Sequence, residues 1–243
     1  MIPTPSGLTK TETPSQLQAE YFLDNRPVAI VVGPGRYNDN IQSINAYAGE
    51  HGRKFRLATT AEVIRIAAEN MGDIGTRILD HGGLQLGMGL KMNKGILINP
   101  PRDSQGEYIT DKDALNNLLS RGSWKNNFWL GENDMALASY EPYDRTMRNI
   151  RGFIHTNLAR ALEHTIGDQA KNLKVILEFV NPRNVVSISD FQREAETSKE
   201  IVPGMISIDH YDDGRISKKV CINHRTFEYG NNYTMGIPLE DNL

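Results

Sequence analysis

Apolar and polar positions change their spacing several times along this chain, and each change predicts a new element. Residues 1–16 are rich in Thr, Pro and Ser without a hydrophobic period and predict a loose N-terminal arm. The segment SQLQAEYFLDN predicts a short helix. PVAIVV, residues 27–32, is a short apolar run with β-branched residues and predicts a buried strand. Gly33-Pro34-Gly35 ends it. Asn38 or Asp39 then opens a predicted helix through Tyr47 and Ala48, with Ile41, Ile44 and Ala48 on one face.

KFRLA predicts a second short strand. Thr59 or Thr60 opens the next helix, with Glu62 placed to reach back to the cap and Val63, Ile66, Ala67 and Ile74 at helical spacing. Leu84–Lys94 predicts a helix loosened by Gly87 and Gly89, followed by the strand GILIN and a stop at Pro100-Pro101. Asp111–Leu119 predicts an amphipathic helix capped by Thr110, with Leu115, Leu118 and Leu119 facing inward. The stretch SWKNNFWLGENDMALASYEPY reads as turn and strand, and Asn157–Thr165 as a helix.

Further on, LKVILEFV and VVSI predict strands, and MISIDHYDDGRISKKVCI predicts a hairpin turning at Asp213-Gly214. A last hairpin is predicted around Gly230-Asn231-Asn232. The expected class is α+β or mixed α/β. After the arm of residues 1–16 come a mixed, helix-rich region (17–150) containing a short strand-turn-helix unit and a β-rich region (151–243) with hairpins, the two packed as one globular unit.

Composition narrows the function classes. The chain has 243 residues, 39% hydrophobic and 23% charged, enough for a core, and a formal net charge of −3. That charge argues against a main role on nucleic acid, which asks for a basic surplus. One cysteine, Cys221, excludes an intrachain disulfide and fits a reducing compartment. The N-terminus lacks a signal-peptide pattern, and no apolar run predicts a transmembrane segment. The expected location is the cytoplasm, with peripheral membrane association through a partner left open.

Candidate chemistry is sparse. A strand, a glycine-rich turn and a helix at VAIVVGPGRYN would present Gly33, Gly35 and Arg36 to an anion, although Pro34 removes one N–H. The glycine-dense DHGGLQLGMGLKMNKG adds Gly82, Gly83 and Lys94 to that nucleotide-binding alternative. It resembles the second half of Rossmann-like nucleoside deoxyribosyltransferases, with Gly83 or Gln85 where those families place a carboxylate. Asp209 and His210 alternate along a strand and do not make a metal pair. No metal, cofactor or catalytic residue is expected. Trp124 and Trp129 head an aromatic group suited to recognition or to a packed strand corner.

Arg151-Gly152-Phe153-Ile154-His155 precedes a short helix, and a strand is expected to lead to Asn181-Pro182-Arg183-Asn184-Val185-Val186-Ser187-Ile188. This resembles the C-terminal part of phage rIIB-like proteins, where an R-G-x-H element precedes an alternating strand ending in P-R-D-V-V-S-I-P. Asn184 stands in place of the aspartate and Ser189 in place of the last proline, and one extra residue separates Gly152 from His155. The resemblance covers residues 151–189. It implies a phage-encoded accessory protein, without an enzymatic reaction, working through protein partners of phage or host origin in the host cytoplasm. Arg151, His155, Asn181, Pro182, Arg183, Trp124 and Trp129 are its expected interaction or corner residues. The alternatives are a nucleotide- or dinucleotide-binding enzyme or sensor, and a self-associating virion structural protein.

Overall fold

The computed structural model describes residues 18–23, 26–32, 43–44, 46–47, 54–80, 82–92, 95–99, 101, 109, 111–125, 128–130, 135–140, 150–167, 170–180, 184–185, 202–212, 216–223 and 232–239. The fold is α+β. One mixed sheet carries the strands, in the order β1 (Ala19–Leu23), β2 (Arg26–Val32), β12 (Asn232–Pro238), β4 (Gly83–Met92), β5 (Gly95–Ile98), β8 (Ala136–Ser139), β7 (Phe128–Leu130), β6 (Ser123–Lys125). Branches add β3 (Phe55–Leu57) on β12, β10 (Val202–Asp212) on β4, β11 (Ile216–Asn223) on β10, and β9 (Asn184–Val185) on β11.

The C-terminal strand is the splice. β12 runs antiparallel to β2 through residues 234–236, antiparallel to β3 through 236–238, and parallel to β4 at 232–233. β12 is thus inserted between strands from the front of the chain, while Gly230 and Asn231 of the expected last hairpin lie outside the described residues. The predicted β10–β11 hairpin is present, with Asp212 opposite Ile216.

A helical layer covers one face of the sheet: α1 (Thr60–Glu69), α2 (Met71–Ile74) leading into a π-helical turn at Gly75–Leu79, α5 (Asn157–Ile166) and α6 (Ala170–Val180). Phe153, at the end of the short α4 (Ile150–Phe153), is fully buried in the same core. The reverse face is covered in two places. Leu115 of α3 (Lys112–Ser120) packs on Leu90, Met92, Leu97 and Leu137. A helical stretch at 43–44 and 46–47 lays Ile44 and Tyr47 on Ile30, Val32 and Leu57.

Helix starts follow capping chemistry. Thr59 and Glu62 form a capping box, in which the Glu62 N–H donates to Thr59 Oγ1 at 3.3 Å and the Thr59 N–H donates to Glu62 Oε2 at 2.7 Å. For α3 the cap is Asp111, whose Oδ1 accepts from the Ala114 N–H at 2.6 Å; it is not Thr110. Thr156 caps α5 through the Ala159 N–H at 3.1 Å.

Three predicted elements are of the other type. SQLQAEYFLDN holds strand β1, whose residues alternate buried and exposed. Leu84–Lys94 is not a helix: Gly83–Met92 is strand β4, between β10 and β12. The segment LKVILEFV is not a strand but most of α6, burying Leu173, Ile176, Leu177 and Val180 at helical spacing. Residues 150–167 and 170–180 are thus almost wholly helical where a β-rich region was expected. Among the described residues no helix is long and apolar enough to cross a membrane.

Candidate functional site: a cleft on the reverse face

β1 is at one end of the strand order, paired with β2 among the described residues. Its burial alternates: Ala19, Tyr21 and Leu23 enter the helix-backed core, while Glu20 and Phe22 face outward. The β1–β2 register shifts between Tyr21 and Phe22, which pair with Ala29 and Pro27, so Val28 is the extra residue of a bulge. A proline fits beside such an irregularity because it has no N–H to offer a ladder.

The outward side of this wing holds a cleft of about 290 Å³ lined by Glu20, Pro27, Ala29, Ile30, Tyr47, Phe55 and Pro238. At its polar centre Tyr47 Oη donates to Glu20 Oε1 at 2.5 Å. The Tyr47 ring meets Phe55 edge to face, with centroids 5.4 Å apart and planes at 75°. Gly236 makes this packing possible. A Cβ there would approach Ile44 Cγ2 at 3.1 Å and Ile30 Cγ1 at 3.2 Å, so its absence lets the Ile44–Tyr47 stretch settle on the sheet.

Behind the cleft, Arg56 of β3 ties the wing to the helical layer. Its Nη1 and Nη2 donate to Glu62 Oε2 and Oε1 at 2.7 and 2.6 Å. Burial pushes the Glu62 carboxyl up, but the hydrogen bonds from Arg56 and Thr59, with the Arg56 charge, outweigh it and hold the group below its ordinary value. The Thr60 N–H donates to Asn99 Oδ1 at 3.0 Å, and Asn99 itself sits at φ 54° just past β5.

On the helix-facing side, Tyr21 Oη makes no close hydrogen bond among the described residues, and Asp73 is the acceptor near it. Burial first, then the charge of nearby Asp73, push its phenol well above the ordinary range. Asp73 is also paired with Arg77 at 3.6 Å across one turn. Among the described residues no three His, Cys, Asp or Glu side chains gather into a metal site.

The residues expected from sequence lie elsewhere. Trp124 and Trp129 are opposite each other in the β6–β7 hairpin, at the end of the strand order away from β1. Arg151 and His155 are exposed around α4. Gly82 lies in a bend, and Gly83 is flanked by Asp209 of β10 and Asn232 of β12. Gly33, Gly35, Arg36, Lys94, Asn181, Pro182 and Arg183 lie outside the described residues. The nucleotide alternative needed the two glycine segments side by side at the carboxyl ends of parallel strands. Of that arrangement the described residues give only the strands: β12 separates β2 from β4, and its antiparallel and parallel pairings make β2 and β4 run in opposite directions.

Sequence reasoning missed Glu20, Tyr47, Phe55 and Pro238 as a group, because β12 brings them together from four distant places. The available clue was the two-residue alternation of AEYFL, which sets Glu20 and Phe22 on one side of a strand. No protein-family model matches the chain, and neither does any curated protein or solved structure.

Proposed function

We propose that this protein is a non-enzymatic accessory protein that works by docking a protein partner on the cleft wing. That is the mode of action the rIIB-like resemblance implies for a phage product in the host cytoplasm. The observation that carries the reading is the form of the wing. Among the described residues β1 is an edge strand and presents Phe22, 48% exposed, opposite Pro27, and Pro27 in turn lines the cleft with Glu20, Tyr47, Phe55 and Pro238. Exposed aromatics beside rigid apolar walls are how recognition surfaces anchor a partner at low entropic cost. Proline walls and the edge-to-face ring pair preorganise the surface before contact.

The test is quantitative recovery of partners with the tagged full-length chain from the infected cell. A partner is expected with wild type and with Val175→Arg on the exposed side of α6, and its yield is expected to fall about tenfold or more with Phe22→Arg. Equal recovery with Phe22→Arg, or recovery of the chain alone, would refute the reading.

A further inference from the structure

We infer that the cleft receives an arginine side chain from that partner, a claim that rests on the docking reading above and specifies its chemistry. Three features of the cleft converge on this ligand. The first is charge: among the described residues of the lining, only Glu20 carries a charge at neutral pH. Tyr47 Oη donates to one of its oxygens, Oε1, and among the described residues no lysine or arginine pairs with the carboxylate. The Tyr47 contact holds the group in place without neutralising it, so Oε2 is left to accept from a cation.

The second feature is shape. A cleft of about 290 Å³ is at the small end for a drug-sized or nucleotide ligand, which typically needs roughly 300–1,000 Å³. It is ample for one long side chain. The third is the walls. Pro27, Ile30 and Pro238 offer apolar surface to a methylene stem, and the Tyr47–Phe55 ring pair offers an aromatic flank to a planar cation. A guanidinium combines a planar face that stacks on aromatics with several donors in a fixed fork. An ammonium has no planar face to use against the rings.

The edge position adds a route of entry. A partner segment running along β1 passes Phe22 and Glu20 on the same outward side. A strand laid beside an exposed edge inserts alternate side chains into pockets along it. Glu20 is exposed, so its attraction for the cation is screened by salt and the contact sets specificity more than affinity.

The experiment titrates N-acetyl-arginine amide and N-acetyl-citrulline amide into the full-length protein, following amide and aromatic NMR resonances. Citrulline has nearly the same shape and no charge. Arginine amide is expected to bind with a Kd on the order of 1 mM, shifting Glu20, Tyr47 and Phe55, and to weaken as salt rises. Citrulline amide and the Glu20→Gln variant are each expected to weaken it by about tenfold. Tyr47→Phe keeps the charge and loses only its anchor, so a smaller loss is expected. Unchanged thermal melting of both variants confirms that they fold. Equal binding of the two amides, or shifts outside the cleft only, overturns the inference. If partner recovery still depends on Phe22 in that case, the docking reading survives and only the arginine is wrong.

Discussion

The helix-backed core and the cleft wing are built on the same strands and use them in opposite ways. β1 shows the contrast within five residues. Ala19, Tyr21 and Leu23 are 7%, 2% and 4% exposed beneath the helices, while Phe22 between them is 48% exposed. On the helix side, three capped or packed helices close over the sheet. On the wing, Ile44 and Tyr47 of the helical stretch at 43–44 and 46–47 pack on Ile30 and Val32, while Phe22 stays exposed. One side of β1 is core, and its other side borders the cleft and leaves Phe22 exposed.

If that division holds, substitutions on the two sides should separate stability from binding. The largest effect belongs to Phe153→Ala, which empties a fully buried position in the helix-backed core. A loss of about 3–5 kcal/mol is expected in urea unfolding, enough to leave little folded protein if total stability is ordinary. A loss under about 1 kcal/mol would mean that Phe153 is not packed as described.

Gly87→Ala comes next. The added Cβ would collide with Thr60 Oγ1 at the start of α1. A destabilisation of about 1–3 kcal/mol is expected, because the contact is with the anchored first turn of a helix. No change would show that α1 sits further from β4.

Arg56→Met probes the link between the two regions. It removes the bidentate pair with Glu62 and loosens the capping box, at about 1–2 kcal/mol near neutral pH. The sign of its pH dependence follows from the lowered Glu62 carboxyl. Stability from that group is fully present above the ordinary value of 4.5 and is lost as pH falls through the lower folded-state value. The gap between wild type and variant should therefore shrink as unfolding is measured at progressively more acid pH. A gap that stays constant would contradict the assignment.

Tyr21→Phe is the smallest of the four and has the opposite sign. Deleting a buried hydroxyl that makes no close hydrogen bond among the described residues should leave stability unchanged or raise it by up to about 1 kcal/mol. Calorimetric melting checks this, and a clear loss would reveal a hydrogen bond to Tyr21.

The sequence announced those elements whose pattern was both local and ordinary. The apolar run of β2, the Thr59-x-x-Glu62 box, GILIN and the Asp213-Gly214 hairpin all carry their determinants within a few residues. The failures have physical causes. In β4, Leu84, Leu86, Met88, Leu90 and Met92 keep a strict two-residue period, but the intervening glycines suggested a loosened helix. The glycines are there in part because α1 comes close, as at Gly87. A register shift opposite Ile206 and Ser207 then lets Leu84 and Leu86 enter the helix-side core while Leu90 and Met92 enter the other. In α6 the run KVILEFV has a strand's composition, yet Leu173, Ile176, Leu177 and Val180 fall on one helical stripe, leaving Val175 and Phe179 exposed. The cleft could not be read locally at all, since Glu20, Tyr47, Phe55 and Pro238 meet only through the long-range insertion of β12.

The proposed docking role of the wing is tested most directly by placing a photo-crosslinking phenylalanine analogue at Phe22 or at Phe179. Both are comparably exposed aromatic positions, 48% and 52%, on the two sides compared above. In the host cell that the proposed function implies, position 22 is expected to give one dominant protein adduct that Glu20→Gln reduces, and position 179 is expected to give none of that species. The same adduct from both positions, or none from position 22, would contradict the account.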